Sequence, residues 1–134
     1  MIGPVSETKD ETPIAAVEQI KWREDVAEHD YGAAEAYLSL KFDEESVQKT
    51  VKKLRKASLT KRRANDILRA AGLQAARLDD PGVMKDLIKV IEGRRLSPVL
   101  VVSAEDGADI ADGYHRISLV FRIDAYGEVP LKIV

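Results

Sequence analysis

The sequence predicts an α+β fold, and three observations carry that expectation. Segments between residues 33 and 91 place apolar side chains at helical spacing, the run Leu96–Ser103 (LSPVLVVS) is short and β-branched, and Val129–Val134 repeats that character at the end of the chain. Most of the helical signal precedes most of the strand signal. A small sheet with an N-terminal helical layer is therefore expected.

Taken in order, residues 1–12 are polar and without period, with Gly3 and Pro4 inside and Pro13 just beyond, and they read as a flexible tail. Residues 13–134 are expected to form a single domain, since that length buries an adequate core. Ile14–Ile20 fits either an edge strand or a short helix, and Trp22 after it is placed to anchor the segment over the core. Gly32–Leu40 reads as a helix with Ala33, Ala36, Tyr37 and Leu40 at helical spacing, ended by Phe42. Asp43 then caps a second helix, with Glu44 and Glu45 in its first turn and Val47, Val51 and Leu54 as its inward stripe. Ser58 or Thr60 is expected to cap a third, with Ala64, Ile67, Leu68 and Ala71 facing inward, Lys61-Arg62-Arg63 in its opening turn and Gly72 at its end. Asp80-Pro81 starts a fourth, since proline suits the first helical position; Val83, Leu87, Val90 and Ile91 form its stripe and Gly93 stops it. A strand in Leu96–Ser103, a turn at Glu105-Asp106-Gly107 and a returning strand at Ala108–Ala111 follow. A last helix opens within Asp112–Tyr114 and carries Ile117, Val120 and Phe121. The closing strand, with Pro130 near its start, is free to pair with residues 99–103.

Composition removes several classes of function. With no cysteine, the chain has no disulfide, thiolate metal site or cysteine-based chemistry. No apolar run approaches membrane-spanning length, so no membrane partner is expected, and the opening MIGPVSETKD carries acids where a secretory signal needs a basic and then an apolar stretch. A cytoplasmic location is expected. The formal charge of −2 hides segregation: residues 1–45 carry 12 acids and 4 bases, residues 46–72 carry 9 bases and 1 acid, and residues 73–134 carry 8 bases and 10 acids. Lys52, Lys53, Lys56, Lys61, Arg62 and Arg63 thus form a candidate nucleic-acid-binding patch. Docking of that patch against the acidic segment, in the same chain or in a homo-oligomer, explains the pattern as well. Aromatic residues do not interleave with the bases, and no helix-turn-helix signature stands out.

The chemistry concentrates at Ile110-Ala111-Asp112-Gly113-Tyr114-His115-Arg116. A strand that feeds a helix through Asp-Gly leaves free backbone N–H groups and the positive end of a helix at one point, a cradle for an anion. Gly113, Tyr114, His115 and Arg116 are the candidate ligand-binding residues. An arginine at a helix N-terminus is electrostatically misplaced unless an anion or a carboxylate answers it. The plain alternatives are that Asp112 is only the N-cap, Gly113 only a bend and Arg116 one partner of an internal salt bridge. A second cluster, Glu28-His29-Asp30, offers a histidine between two carboxylates; with Asp112 and His115 these are the candidate catalytic residues. Neither cluster has the spacing of a metal site, so no protein-held metal is expected.

The stretch from about residue 80 to residue 134 resembles the ParB N-terminal and sulfiredoxin-like superfamily, whose domains run helix, strand, turn, strand, Gly-x-(His/Glu)-Arg at a helix start, then a strand similar to VPVKIV. That resemblance implies a small mixed sheet with an expanded N-terminal helical layer, the helices at about residues 33–72 being an elaboration on a plain member. It also implies that Gly113, His115 and Arg116 handle the phosphates of a nucleoside di- or triphosphate, with magnesium, in a domain associated with DNA. Tyr114 stands where sulfiredoxins carry their cysteine, so sulfinic-acid reduction is excluded. Free-serine kinases of the superfamily use a motif similar to Asp-Gly-His-His-Arg, which Asp112–Arg116 matches at four of five positions. A small-molecule kinase or phosphohydrolase is therefore the competing enzyme reading, with Asp112 as base or metal ligand. A non-catalytic DNA- or protein-interaction module working through residues 49–63 is the third.

Overall fold

The apolar run after Pro98 becomes strand β2 (Val99–Ala104), and its successive side chains must face opposite ways. Val99 and Val101 enter one core while Leu100 enters another, so both faces of the strand are buried and its sequence reads as continuous rather than alternating. The structure is a computed structural model, and the residues described are 17–134. The expected tail, and Ile14 to Ala16, lie outside the described residues.

β2 lies inside a four-stranded mixed sheet with β1 (Thr60–Arg63), β3 (Gly107–Asp112) and β4 (Glu128–Ile133), in the order β1–β4–β2–β3. β4 runs parallel to β2, pairing Leu131 with Val99 and Ile133 with Val101, whereas β1 and β3 are antiparallel to their neighbours. Helices α1 (Glu28–Leu38) and α2 (Glu44–Lys56) cover one face, burying Tyr31, Ala34, Leu38, Val47, Val51 and Leu54 over Leu100 and Ala111. Helices α3 (Ala64–Ala71), α4 (Pro81–Ile91) and α5 (Tyr114–Ile123) cover the other, with Ile67, Leu68, Val83, Val90, Ile117 and Val120 packed on Val99, Val101 and Leu131.

Two features of this frame aim the functional stretch. The β2–β3 register shifts between Leu100 and Val101, so that Leu100 pairs with Asp112 while Val101 pairs with Ile110. Such an irregularity turns the end of a strand, and here it turns Asp112 toward the start of α5. Separately, Trp22 and Leu96 form a parallel bridge, with Arg23 N–H donating to Leu96 O at 2.8 Å and Leu96 N–H to Lys21 O at 2.8 Å. This lays residues 20–27 beside the approach to β2, close to the same helix start.

The elements differ from expectation in five places. α1 begins at Glu28 rather than Gly32, and its inward face is Asp30, Tyr31, Ala34 and Leu38; Ala33, Ala36 and Leu40 are exposed. Its N-cap, Ala27, offers no side-chain bond, so nothing local marks the start. Lys61-Arg62-Arg63 does not open a helix but forms β1, which pairs only with β4 and leaves an outer edge where charged side chains discourage pairing with other chains. Neither Ser58 nor Thr60 caps α3, which starts at Ala64. The helical elaboration is divided as well: α1 and α2 make one layer, β1 joins the sheet and α3 packs on the opposite face. Ile91, expected inside, is exposed.

Candidate functional site

Gly113 adopts φ +113° at the N-cap of α5, and no side chain caps the first-turn amides. A Cβ there would lie 2.3 Å from Val99 Cγ1, so glycine meets both the backbone requirement and the close approach. The turn brings Arg116 back under the sheet. Its Nη2 donates to Asp112 Oδ2 at 2.7 Å and its Nη1 to Asp30 Oδ2 at 3.1 Å, with further bonds from Nη1 to the carbonyls of Ser97 and Pro98. The Arg116 side chain is only 11 % exposed. The carboxylates that answer this cation are therefore internal, and the direct anion contact expected of Arg116 is replaced by a structural one joining α1, β3, α5 and the lead into β2. Asp112 is an acceptor for Arg116, not the N-cap of α5. Its carboxyl is pushed above the ordinary value by burial; Arg116 opposes that shift and the neighbouring Asp30 adds to it.

In front of this arrangement lies a cleft of about 440 Å³, lined by Gly113, Tyr114 and His115 at the start of α5 and by cations from two other segments. Lys85 and Lys89 project from α4 and Arg23 from the segment beside Leu96; none of the three forms an ion pair among the described residues. Arg94 and Arg95 complete the rim, Arg94 within 3.4 Å of Glu92 and Arg95 donating to Trp22 O at 3.0 Å. Helix-start amides without a side-chain cap and several cations around one concavity favour an anion.

One acid faces these cations. Asp86, on the inner side of α4, is 9 % exposed, lines the cleft and has no hydrogen bond or ion pair among the described residues. Burial raises its carboxyl above the ordinary value of 3.8, opposed by Arg116, Lys89, His115 and Lys85. A carboxyl with a raised folded-state value holds its proton to higher pH in the folded chain than in the unfolded one. Its contribution is complete below pH 3.8 and is lost as the pH rises through the folded value. Asp86→Asn is thus expected to raise Tm at about pH 7, with a gain that shrinks as the pH approaches about 4. Thermal melts of the two proteins across that range check the sign.

His115 is held by α4 rather than by its own helix. Its Nε2 lies 3.3 Å from Asp80 Oδ1, the oxygen that also accepts from Gly82 N–H (2.8 Å) and Val83 N–H (3.3 Å) to cap α4. The ring lies so close to Gly82 that a Cβ there would be 2.6 Å from His115 Cγ. Because the His115 side chain is 48 % exposed, it can swing away at little cost. Gly82→Ala should change stability by less than about 1 kcal/mol while displacing the His115 ring from Asp80. Urea unfolding and the ring resonances of His115 report the two effects separately.

The structure brings most of the expected residues together. His29, Asp30, Asp112, Gly113, Tyr114, His115 and Arg116 all line the cleft. Glu28 does not: its carboxylate is 2.7 Å from Arg55 on α2, at an exposed position. His29 is an exposed rim residue whose Nε2 stands 3.2 Å from Asp30. The Tyr114 hydroxyl is engaged by Gln74 O, and its ring packs edge-on to His115 at 5.4 Å. Lys52, Lys53, Lys56, Lys61, Arg62 and Arg63 lie elsewhere; Arg62 folds back on Thr60 and Lys61 O, and Arg63 lies over Tyr126. The acidic segment meets the basic one through Glu28–Arg55 and Glu35–Gln48, while Lys52, Lys53 and Lys56 form no ion pair among the described residues.

Sequence reading missed Arg23, Lys85, Lys89, Gly82 and Asp86. Asp86 had a legible signal, since it falls between Val83 and Val90 on the inward side of an amphipathic helix, where an acid is rare. The residues present do not fit a protein-held magnesium ion. Among the described residues no group of three or more His, Asp or Glu could hold a metal, and the Asp30 and Asp112 carboxylates are engaged by Arg116. No described helix is long and apolar enough to cross a membrane. Compared with protein-family models, with curated proteins and with solved structures, the chain has no match.

Proposed function

We propose that the chain is a ParB-like domain that binds a nucleotide or another phosphate-bearing ligand in the cleft between α4, α5 and residues 21–27. The observation that carries this reading is the convergence of Lys85, Lys89 and Arg23, free of ion pairs among the described residues, on the uncapped start of α5. Phosphate oxygens would take hydrogen bonds from the amides at Tyr114 and His115 and charge-assisted ones from Lys85 and Lys89. Arg116 would hold the turn from beneath rather than touch the ligand. The order α4, β2, turn, β3, Gly113-Tyr114-His115-Arg116 at a helix start, then the EVPLKI strand supports the ParB and sulfiredoxin-like resemblance. Asp30 stands beside Arg116, as a kinase reading would require, yet it is held by that arginine.

Isothermal titration with nucleoside di- and triphosphates, with and without magnesium, tests the reading. Binding is expected, weakened at least about tenfold by Lys85→Glu with Lys89→Glu. Replacing Lys61, Arg62 and Arg63 by alanine should leave that binding unchanged. If no nucleotide binds at millimolar concentration, the reading is wrong. Retention on duplex DNA that the triple alanine variant weakens and the α4 variant does not would select the basic patch as the working surface instead.

A further inference from the structure

Four aspartates stand at or beside the cleft, and three of them have internal partners. Asp30 and Asp112 are engaged by Arg116, and Asp80 caps α4 while approaching His115. Asp86 is the exception: nine-tenths buried, on the cleft wall, and without a partner among the described residues. An ionised carboxylate only accepts hydrogen bonds, so an anion without O–H groups, such as sulfate, has nothing to offer it and is repelled. The Asp86 oxygens reach the cleft, and a cleft serving only such anions gains nothing from an acid on its wall.

We infer that Asp86 accepts a hydrogen bond from a hydroxyl group of the bound molecule, so that the cleft takes a phosphate ester of a hydroxylated carbon skeleton rather than an anion without O–H groups. The inference rests on the phosphate-binding reading of the same cleft and names the class of ligand. The donor is a hydroxyl and not an ammonium because of the charge around it. Six arginines and lysines line the cleft against three aspartates, so a cationic donor meets net repulsion, which a neutral hydroxyl does not. The raised carboxyl of Asp86 is compatible with this role, because a hydroxyl can accept from the protonated form as well as donate to the ionised one. Lys85 and Lys89, on either side of Asp86 along α4, would meet the phosphate while Asp86 met the hydroxyl, which fixes the orientation of the ester.

Calorimetric titration of ribose 5-phosphate and of sulfate, which carries no O–H at neutral pH, into the wild-type chain, Asp86→Ala and Asp86→Asn tests this. The wild type should bind the ester more tightly than sulfate. Asp86→Ala should weaken the ester by about ten- to hundredfold while leaving sulfate unchanged or tighter, since an acid has left a cationic cleft. Asp86→Asn, whose carbonyl still accepts, should recover part of the loss; being isosteric, it also decides the matter if the alanine variant does not fold. Should Asp86→Ala change both probes alike, or neither, the inference fails while the phosphate-binding reading stands. Should the wild type bind neither probe, the inference fails, and the phosphate-binding reading falls with it only if nucleoside di- and triphosphates also fail to bind.

Discussion

Arg116→Ala should destabilise the protein by about 3–5 kcal/mol, the range for removing one partner from a buried, hydrogen-bonded charge cluster. Asp30 and Asp112, whose side chains are 7 % and 20 % exposed, would be left facing each other without a cation. The carbonyl of Ser97 would lose the guanidinium donor as well, and that of Pro98 would keep only the Ser97 hydroxyl at 3.3 Å. Four structural pieces meet at this guanidinium, so the loss should appear as a lower urea midpoint for the whole chain rather than as local fraying. For a chain of this length it corresponds to a fall in Tm of roughly 10–15 °C. Arg116→Lys should recover little, because a single ammonium cannot reproduce a planar fork that reaches Asp30 with one nitrogen and Asp112 with the other. The deficit should shrink at acid pH, where the unpaired carboxyls take up protons. An Arg116→Ala protein with an unchanged urea midpoint would mean that the cluster contributes nothing to the fold.

Gly113→Ala is expected to cost about 2–4 kcal/mol, from backbone strain at φ +113° together with overpacking. The added methyl would lie 2.3 and 2.5 Å from Val99 Cγ1 and Cβ and 3.3 Å from Arg116 Nη2. Val99 is fully buried between the strands and α5, so it cannot move aside as an exposed side chain would. Combining Gly113→Ala with Val99→Ala separates the two sources. The steric part should be relieved in the double variant, giving a smaller loss than the sum of the single ones, while the conformational part remains. Strict additivity in equilibrium unfolding would show that Val99 is not the obstacle.

How far the sequence could be read depended on whether each feature was local. Asp43, Val47, Val51 and Leu54 specify α2 through a cap and a stripe within one segment, and the structure has that helix with Asp43 accepting from Ser46 N–H at its start and Val47, Val51 and Leu54 buried. The bend at Gly113, and the turn and strands around it, were legible for the same reason. α1 was misread because its inward face contains Asp30, and apolar periodicity cannot anticipate that a carboxylate is buried by an arginine 86 positions away. β1 was misread because Thr-Lys-Arg-Arg has no strand character of its own; it is a strand because β4 presents an edge to it. The conflict between Arg116 and the helix dipole was visible in the sequence, but whether a ligand or an internal acid resolves it depends on the long-range placement of Asp30. The rim of the cleft was hidden in the same way, since Arg23 reaches it only through the pairing of Trp22 with Leu96.

The central claim is that the uncapped start of α5 and the α4 lysines form one anion site, and a residue-resolved titration tests it most directly. Backbone amide NMR of the full chain with added pyrophosphate should shift the resonances of Tyr114, His115 and Gly82 together and saturably. The amides of Lys61–Arg63 should stay in place, and Lys85→Glu with Lys89→Glu should abolish the shifts. Saturable shifts confined to residues 49–63, or none at Tyr114 and His115 at any concentration reached, would contradict it.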